Sequence, residues 1–484
     1  MDNRIETFLY EHENELYEDI LRLVGIPSVS EDREGARRAL REFLTMTRSA
    51  GFSVSEAAGG DVGVAVLEPD ESEIPEVRPP RETLGILGHV DVVDPGDPSA
   101  WTHSPWGEIS DGAVWGRGTL DDKGPLVVCL WAIKALREFG VRFRRRVSFI
   151  VGTMEEIDWL DMEAYRREAE PPDFGFTPDG EFPVINREKG HCDVVLSFDR
   201  DRHRTLGNFE IVDFEAGAAS NVVPDSAGAR LRFAGSGGDG APESLRNSLA
   251  SLPEAERAAI RIEPENDGTV TVRAKGKAAH SSLPEQGDNA LVRLCAFLAR
   301  LGRNGLVDFL STFFADGPYP QALGLQTRSE YARGEYIGLT SASPDLVKTA
   351  GGAFVLTVNL RMSYGQTEQE LCAAFEEHQG RFGYSFHLEQ FLPALFIPKD
   401  RPFMRALMNA YEGRTGRPGE FILAPGTSYA KAMPGIAAFG PVLPGHEDLC
   451  HVADERMSFE EIRTCAMIYA DAIAALVSSP ESMA

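Results

Sequence analysis

The chain has 484 residues, of which 43% are hydrophobic and 25% are charged, a composition that is ordinary for a globular protein of more than one domain. Its 75 acidic and 48 basic side chains give a net charge of -27, which argues against nucleic acid or an anionic membrane surface as a partner. No apolar run reaches the roughly 20 residues of a membrane span, and the first residues lack the basic and apolar regions of a signal peptide. The six cysteines show no C-x-x-C spacing, so we expect reduced thiols in a cytoplasmic protein without a membrane partner.

The first part of the chain alternates amphipathic helices with short apolar strands. The predicted elements, in chain order, are a helix over Ile5 to Leu23, a helix over Asp32 to Ser49, a strand over Val62 to Leu67, a loop over Glu68 to Pro80, a strand over Thr83 to Val90, a helix over Lys123 to Phe139 and a strand over Arg146 to Thr153. This alternation predicts an α/β domain with a mainly parallel sheet and helices on both faces, in which sites form at the carboxyl ends of the strands.

Residues 188–392 have a different character. Five segments with strand-like alternation surround helices near 242–252 and 289–300, which predicts an α+β domain with an antiparallel sheet. After Pro402 the earlier alternation returns and ends in a helix from about Ser458 to Val477. The sequence therefore predicts one domain, residues 1–187 and 393–484, that is interrupted by a second domain, residues 188–392.

A histidine and an aspartate stand at the end of the apolar strand over Thr83 to Val90. His89 and Asp91 are two residues apart, so their side chains point to the same face of an extended segment. A metal-binding imidazole commonly donates its other N–H to a carboxylate, which orients the ring. The alternative is a polar pair at a strand end, and this motif alone does not decide between the two.

Two pairs of carboxylates follow along the chain. Asp121 and Asp122 stand between a glycine-rich turn and a predicted helix, where the alternative role is a helix cap. Glu155 and Glu156 follow the strand over Arg146 to Thr153, where the alternative is a solvated acidic pair. The carboxyl end of a strand in an α/β layer favours a functional site for the glutamates.

Two more candidate ligands come from turns. Asp179 lies in Thr-Pro-Asp-Gly and His451 ends the segment that begins at Pro444; either alone would be an ordinary turn residue. Together the candidates form a nitrogen and oxygen ligand set that suffices for two divalent ions sharing one carboxylate, namely His89, Asp121, Glu156, Asp179 and His451. Glu155 is then left over, as the general base of a metal-activated water must be.

Five dispersed motifs carry a resemblance to a known family. In order they are Gly88 to Val93 (GHVDVV), Trp115 to Pro125 (WGRGTLDDKGP), Met154 to Glu156 (MEE), Thr177 to Asp179 with Phe182 to Ile185, and Pro444 to His451. The chain resembles dipeptidases of the PepV type, within the aminoacylase and carboxypeptidase G family of metallopeptidases with a dinuclear centre. The motifs run in order across nearly the whole length, which makes their combination specific.

The resemblance implies a role for each residue of the centre. One ion would be held by His89 and Asp179, the other by Glu156 and His451, with Asp121 bridging both. Asp91 would orient His89, and Glu155 would be the base. Asp122 would be a cap or surface residue, because the family's pattern puts the bridging ligand two residues before the lysine. The cofactor would be two divalent ions, zinc first, with manganese or cobalt as alternatives.

The resemblance also assigns the inserted domain as a lid that closes before turnover. Asn221 and His280 match lid residues at the substrate, and His280 would help to stabilise the tetrahedral oxyanion. Arg361 matches the arginine that holds the substrate's carboxylate, a task that suits a forked donor. Their structural alternatives are a turn asparagine, a surface histidine and a strand-end arginine. The substrate loop departs from the family's Gly-Gly-Thr-Tyr-Ala pattern, since it reads Ala-Pro-Gly-Thr-Ser-Tyr-Ala over 424–430 and places Gly426, Thr427 and Ser428 at the substrate.

The expected function is therefore metal-dependent hydrolysis of dipeptides, with a water held by the two ions as nucleophile. Two alternatives stay open within the family, an N-acyl-amino-acid deacylase and a succinyl-diaminopimelate desuccinylase. A third is a non-catalytic peptide-binding or metal-binding protein, which the presence of Glu155 disfavours. The resemblance favours a monomer, because in this branch the enlarged lid stands in for a partner subunit.

Overall fold

The computed structural model describes residues 3–70, 82–233, 242–326 and 328–484. Most of the loop predicted over Glu68 to Pro80 therefore lies outside the described residues. The chain divides into two compact units, the first formed by Met1–Arg187 with Leu395–Ala484 and the second by Glu188–Ala394. In the described ranges no helix has the length and apolarity needed to cross a membrane.

The helices are α1 Asn3–Glu11, α2 Glu13–Val24, α3 Arg33–Ser49, α4 Lys123–Glu138, α5 Leu160–Glu168, α6 Arg200–His203, α7 Glu243–Ala250, α8 Glu254–Ala258, α9 Ala290–Leu298, α10 Gly305–Phe313, α11 Glu368–Phe382, α12 Pro402–Thr415 and α13 Phe459–Ser478. The strands are β1 Ser53–Ala57, β2 Val62–Leu67, β3 Thr83–His89, β4 Glu108–Ser110, β5 Ala113–Trp115, β6 Arg146–Gly152, β7 Phe174–Thr177, β8 Val184–Glu188, β9 Gly190–Asp199, β10 Thr205–Leu206, β11 Phe209–Ala216, β12 Ser226–Phe233, β13 Ile260–Pro264, β14 Thr269–Lys275, β15 Tyr331–Ala332, β16 Glu335–Tyr336, β17 Ser341–Ala350, β18 Ala353–Met362, β19 Tyr384–Leu392, β20 Leu395–Phe396, β21 Phe421–Ala424, β22 Ile436–Ala438 and β23 Arg456–Ser458.

The first unit is built on a mixed sheet with the order β1-β2-β6-β3-β7-β22-β8-β20, and β21 also pairs with β8. Its centre is parallel, since β3 pairs in parallel with both β6 and β7, and β22 with β7. Antiparallel pairs flank this centre, β1 with β2, β2 with β6 and β22 with β8. The parallel centre places the carboxyl ends of β3, β6 and β7 at one edge of the sheet.

Helices α4 and α13 form the interior of the first unit together with strands β3, β6 and β7. Almost every residue of α4 is buried, as its continuous apolar sequence from Leu126 to Ile133 requires. Helix α13 begins with a capping box in which Ser458 and Glu461 satisfy each other's backbone N–H groups. These features fix the helix that follows Asp121 and the helix that follows His451.

The second unit is built on an antiparallel sheet with the order β13-β14-β12-β11-β17-β18-β9-β19. Helices α9, α10 and α11 pack their apolar residues into the same core as this sheet. Strand β17 contains a bulge between Pro344 and Leu346, which leaves Asp345 without a partner on β18. The expected α/β fold with an α+β insert is confirmed. The predicted insert covers residues 188–392, and the second unit extends two residues further.

The structure divides the first predicted helix into α1 and α2 at His12. The His12 ring nitrogen Nδ1 lies 2.9 Å from the carbonyl oxygen of Phe8, which also accepts the backbone N–H of His12. Because a side chain competes here for a helical carbonyl, the helix is interrupted at this residue. The apolar periodicity continues across His12, so the sequence pattern did not predict this break in the helix.

Candidate metal centre

Three of the candidate ligands are placed by the carboxyl ends of neighbouring strands. His89 is the last residue of β3, Glu156 follows β6 by four residues and Asp179 follows β7 by two. The backbone N–H of Val90 donates to the carbonyl of Gly152 at 3.1 Å, which holds the ends of β3 and β6 together. The loop before α4 adds Asp121, and the segment before β23 adds a second histidine.

Asp121 lies between the two histidines. Its Oδ1 is 2.9 Å from Nε2 of His89, and its Oδ2 is 3.0 Å from Nε2 of His451. His451 is also 3.0 Å from Oε1 of Glu156, and His89 is 3.9 Å from Oδ2 of Asp179. One carboxylate thus presents an oxygen to each of two half-sites, which is the arrangement that a bridging ligand requires. The peptide bond between Asp121 and Asp122 is cis.

The carboxylate of Asp91 holds the segment that carries both glutamates. Its Oδ1 accepts the backbone N–H of Glu155 at 3.1 Å, and its Oδ2 accepts that of Glu156 at 3.2 Å and the hydroxyl of Ser30 at 2.7 Å. The carbonyl of Glu155 accepts the indole N–H of Trp159 at 2.6 Å. The backbone of Glu155 is therefore fixed on both sides of its side chain.

The ring of His89 is oriented mainly by the backbone of Asp91. Nδ1 lies 3.0 Å from the carbonyl oxygen of Asp91 and 3.4 Å from its carboxylate, while Nε2 faces Asp121. A proton on Nδ1 that points at Asp91 leaves Nε2 as the metal-binding nitrogen. The expected orienting role of Asp91 thus has a geometric basis, but the closer acceptor is a main-chain oxygen.

The charges of the site push the pKa values of its groups apart. Burial lowers the pKa of His89, yet the hydrogen bonds with Asp121 and Asp91 outweigh burial and raise it well above its usual range. Hydrogen bonds with Asp121 and Glu156 raise the pKa of His451 to about 11. Burial, together with the negative charges of Asp179 and Glu156, raises the pKa of Glu155 well above its usual range. Three neighbouring carboxyl groups, those of Asp179, Glu155 and Glu156, thus lie around Asp121, and a cation among them would offset their mutual repulsion.

Divalent cations fit this donor set. Two groups of ligand atoms lie within 4.8 Å of one another, namely His89 with Asp121 and Glu156, and His89 with Glu155 and Asp179. In the described part of the chain, no lysine or arginine forms an ion pair with Asp121, Glu155 or Glu156. Imidazole nitrogen and carboxylate oxygen are ligands for zinc and for related divalent ions.

Asp122 occupies the N-cap position of α4, but its side chain does not cap the helix and is not on the surface, so the predicted role as a cap or surface residue was wrong. It is fully buried, its side chain makes no capping hydrogen bond, and its Oδ2 accepts the backbone N–H of His89 at 3.3 Å. A Cβ atom at Gly88 would come within 2.3 Å of this oxygen, so the glycine makes room for the carboxyl group. Burial raises the pKa of Asp122 well above its usual range, which favours the neutral acid.

The sequence analysis missed Glu455, which supports the loop of Asp121. Its fully buried Oε1 accepts the backbone N–H groups of Gly118, Leu120 and Asp121 at 3.0, 2.8 and 3.2 Å. Its Oε2 accepts the guanidinium of Arg117 at 2.6 Å. Burial raises the pKa of Glu455 to about 7, although Arg117 opposes this shift. A single carboxylate, four residues after His451, thus holds the backbone of Asp121.

The substrate loop predicted over Gly426, Thr427 and Ser428 joins the site through the residue that follows it. Tyr429 is buried, its ring stands edge-on to His89 at 6.0 Å between centroids, and its hydroxyl donates to the carboxylate of Asp161 at 2.8 Å. Within the loop, Lys431 donates to the hydroxyl of Thr427 at 2.7 Å, and Ser428 accepts the N–H of Ala430 at 3.3 Å. Asp161 also accepts the N–H of Thr153, so it links this loop to the end of β6.

In the second unit, the segments of Asn221 and His280 lie side by side. The backbone N–H of Ser281 donates to the carbonyl of Asn221 at 2.9 Å, and both candidate residues are exposed. The backbone N–H of Ser282 donates to Nδ1 of His280 at 3.2 Å. An Nδ1 that accepts carries no proton, so the neutral ring of His280 is protonated at Nε2 and can donate from there.

Arg361 is a buried residue of β18 and is held by its neighbours. Its Nε donates to Oδ1 of Asn359 at 3.1 Å, and Nδ2 of Asn359 donates to Asp193 at 2.7 Å. Burial lowers the pKa of Arg361, while the charges of Asp193 and Asp345 oppose this. The two terminal nitrogens of Arg361 make no hydrogen bond with the residues that the structure describes.

Comparison with known proteins identifies the family. The model of peptidase family M20/M25/M40 matches residues 85–475, and the chain belongs to this family. A Staphylococcus epidermidis protein named "Putative dipeptidase" is 29% identical over 486 residues, which cover 96% of this chain and 98% of that protein. A Bacillus subtilis protein named "Putative dipeptidase YtjP" is 29% identical over 447 residues, 91% of this chain and 90% of its own.

Solved structures share the fold at low identity. Human carnosine dipeptidase 1 has a TM-score of 0.57 at 14% identity, with 98% of this chain and 99% of that chain covered. The dipeptidase Dug1p of Saccharomyces cerevisiae has a TM-score of 0.59 at 15% identity, with 99% of each chain covered. The predicted resemblance to this group of metallopeptidases is confirmed.

Proposed function

We propose that the chain is a metal-dependent dipeptidase that hydrolyses the amide bond of small peptides. The observation that carries the proposal is the position of Asp121, with one oxygen at His89 and the other at His451, beside the buried carboxylate of Glu155. The names of the relatives, which align over nearly their whole lengths, support dipeptides as the substrate class.

The residues divide into two ligand sets that share Asp121. His89 and Asp179 would hold one divalent ion, and Glu156 and His451 the other, with zinc, manganese and cobalt all compatible with these donors. When bound, such ions polarise the scissile carbonyl and lower the pKa of a water molecule. Asp91 contributes indirectly, because it holds both His89 and the backbone of the two glutamates.

Glu155 is the proposed general base. Its carboxylate would take a proton from the attacking water and return it to the nitrogen of the leaving amine. Burial and neighbouring carboxylates favour the protonated form of Glu155, so the residue can hold the proton between these two steps. The hydrogen bonds from Trp159 and to Asp91 keep its backbone in place meanwhile.

Three residues of the second unit are proposed to bind the substrate. Arg361 would pair with the substrate's terminal carboxylate through its two terminal nitrogens. His280, protonated at Nε2, would donate to the oxyanion, and removing one such donor typically costs about 100- to 1000-fold in kcat. Asn221 would contribute a further polar contact, and the loop of Gly426, Thr427 and Ser428 would contact the substrate from the first unit.

The test compares dipeptides with their N-acetyl forms, with and without added divalent ions. A dipeptidase is expected to hydrolyse the free dipeptides, whereas a deacylase would prefer the acylated substrates. Glu155→Gln should lower kcat by about 10²- to 10⁴-fold while the metal content stays intact. Glu163→Gln, on the exposed surface of α5, is the matched control and should leave kcat unchanged.

The outcomes separate the proposals. A preference for N-acetyl substrates would refute the proposed dipeptidase activity and indicate an N-acyl-amino-acid hydrolase instead. A fully active Glu155→Gln variant would overturn the assignment of the base. Metal binding without turnover of either substrate class would favour a non-catalytic binding protein.

A further inference from the structure

A buried carboxyl group in the second unit connects strand β17 with the segment that carries His280, a proposed substrate-binding residue. Asp345 is fully buried at the bulge of β17, and the hydroxyls of Ser281 and Ser343 both donate to its carboxylate, one to each oxygen. Ser281 and Ser343 are themselves buried. Asp345 therefore receives one hydrogen bond from its own strand and one from the segment of His280.

The bulge holds Asp345 in a fixed position. A Cβ atom at Gly217, the residue after β11, would lie 1.9 Å from the carbonyl oxygen of Asp345, so the two chain segments approach too closely there for any side chain. The side-chain amide of Asn289 donates to the carbonyl of Pro344 at 2.9 Å, and the same side chain caps α9. The carboxyl group is thus attached to the rigid part of the unit.

His280, in contrast, has an exposed ring, and its Nδ1 lies 2.6 Å from the hydroxyl of Ser282 and accepts the backbone N–H of Ser282 at 3.2 Å. Ser281 follows His280 directly, with its N–H bound to the carbonyl of Asn221 and its hydroxyl bound to Asp345. An oxyanion donor must be held close to its working position, since a misplacement of about 1 Å can cost about 100-fold in rate. The bond between Ser281 and Asp345 is where the exposed segment is attached to β17.

We infer that Asp345 is a positioning residue for His280, acting through the hydroxyl of Ser281. The inference rests on the proposed function, in which His280 donates to the oxyanion. Loss of the hydroxyl of Ser281 would free the backbone beside His280. Loss of the hydroxyl of Ser343 would remove an equivalent hydrogen bond from a residue whose backbone is paired with Asn359 of β18.

The two serines provide a matched pair of variants. Ser281→Ala and Ser343→Ala each remove one buried hydrogen bond to the same carboxyl group and should lower the melting temperature by similar amounts. We expect Ser281→Ala to lower kcat by about tenfold with little change in KM, because a displaced oxyanion donor weakens the transition state more than substrate binding. Ser343→Ala should keep kcat within about twofold of the unmodified enzyme.

His280→Ala and the double variant His280→Ala/Ser281→Ala complete the test on dipeptide substrates with full metal content. If Ser281 acts through His280, the double variant should be no slower than His280→Ala alone. An additive loss in the double variant, or equal effects of the two serine variants on kcat, would overturn the inference. An unchanged kcat in His280→Ala would instead refute the proposed role of His280, so the two failures are distinguishable.

Discussion

Replacement of Glu455 by glutamine tests whether one buried carboxylate holds the loop of Asp121, the proposed bridging ligand. The carboxylate accepts four hydrogen bonds, three from backbone N–H groups on Oε1 and one from Arg117 on Oε2. Glutamine has the same shape but only one acceptor oxygen. In either orientation of the glutamine amide, its NH2 group faces hydrogen-bond donors, either the guanidinium of Arg117 or the three backbone N–H groups.

The expected cost follows from the cheaper orientation. With the amide oxygen towards the backbone, the NH2 group faces Arg117, whose side chain is only 3% exposed and loses its counter-charge. Breaking a buried ion pair in this way costs about 3 to 5 kcal/mol. The opposite orientation leaves three buried N–H groups without an acceptor, at about 1 to 3 kcal/mol each. We therefore expect Glu455→Gln to lower the free energy of unfolding by about 3 to 5 kcal/mol.

Denaturant unfolding of the metal-free protein at pH 8, where a carboxyl group with a pKa of about 7 is ionised, measures this cost. At pH 6 the native carboxyl group is mostly protonated while the same group in the unfolded chain, with its ordinary pKa of 4.5, is ionised. The unmodified protein is therefore more stable at pH 6 than at pH 8 relative to Glu455→Gln, and the difference between the proteins should grow by about 1 kcal/mol. Metal titration should show an affinity reduced by about 10- to 100-fold, because the loop supports Asp121. Glu447→Gln, an exposed change of the same charge near His451, is the control.

A cost below about 1 kcal/mol at pH 8, together with unchanged metal affinity, would refute this reasoning. A double variant that also replaces Arg117 by leucine sharpens the test. Removing both partners of a buried pair is often nearly neutral, so the double variant should regain much of the stability lost in Glu455→Gln. Additive losses would mean that the ion pair is not the source of the cost.

Three further predictions concern other parts of the molecule. Asp91→Ala should lower kcat more than it lowers metal content, since Asp91 supports the backbone of Glu155 as well as His89. Equal fractional losses of kcat in activity assays and of bound metal in elemental analysis would contradict this prediction. A chelator should abolish dipeptide hydrolysis and lower the melting temperature, and added divalent ions should restore both, because bound cations offset the repulsion among the buried carboxylates. Activity that survives complete metal removal would refute this prediction. Burial raises the pKa of Asp345 from 3.8 to about 8, so this group's stabilising contribution is complete below pH 3.8 and is lost as the pH rises to about 8. At about 1.4 kcal/mol for each pH unit between these two pKa values, the contribution lost over this range is roughly 6 kcal/mol. The unfolding free energy of Asp345→Asn, measured relative to that of the unmodified protein, should therefore rise between pH 3.8 and about 8 and then level off. A parallel pH dependence of the two proteins would contradict this prediction.

The strands and helices around the site could be predicted because their apolar patterns are local. The strand predicted over Thr83 to Val90 is β3 over Thr83–His89, and the helix predicted over Lys123 to Phe139 is α4 over Lys123–Glu138. Burial on both faces produces a continuous apolar run, and such runs are visible without knowledge of the partners. The same pattern indicated where β3 ends, and so where His89 lies.

Glu455 could not be predicted for the opposite reason. It lies in the polar segment Val452-Ala-Asp-Glu-Arg456, which has no periodicity, and its acceptor role depends on N–H groups more than 330 residues earlier in the chain. Asp122 was misjudged because an aspartate before a helix usually caps it. A signal was present in Gly88, since a glycine inside a buried strand often marks the close approach of another group.

Asp91 shows how the local pattern and the tertiary structure combine. From the strand alone, its side chain is a partner for the ring of His89, two residues before it. In the folded unit the nearest acceptor for that ring is the backbone carbonyl of Asp91, which leaves the carboxylate for the N–H groups of Glu155 and Glu156. One residue thus orients a proposed metal ligand through its main chain and the proposed base through its side chain. Asparagine at this position would keep the first contact but present an NH2 group to one backbone N–H, so Asp91→Asn should retain metal while losing kcat.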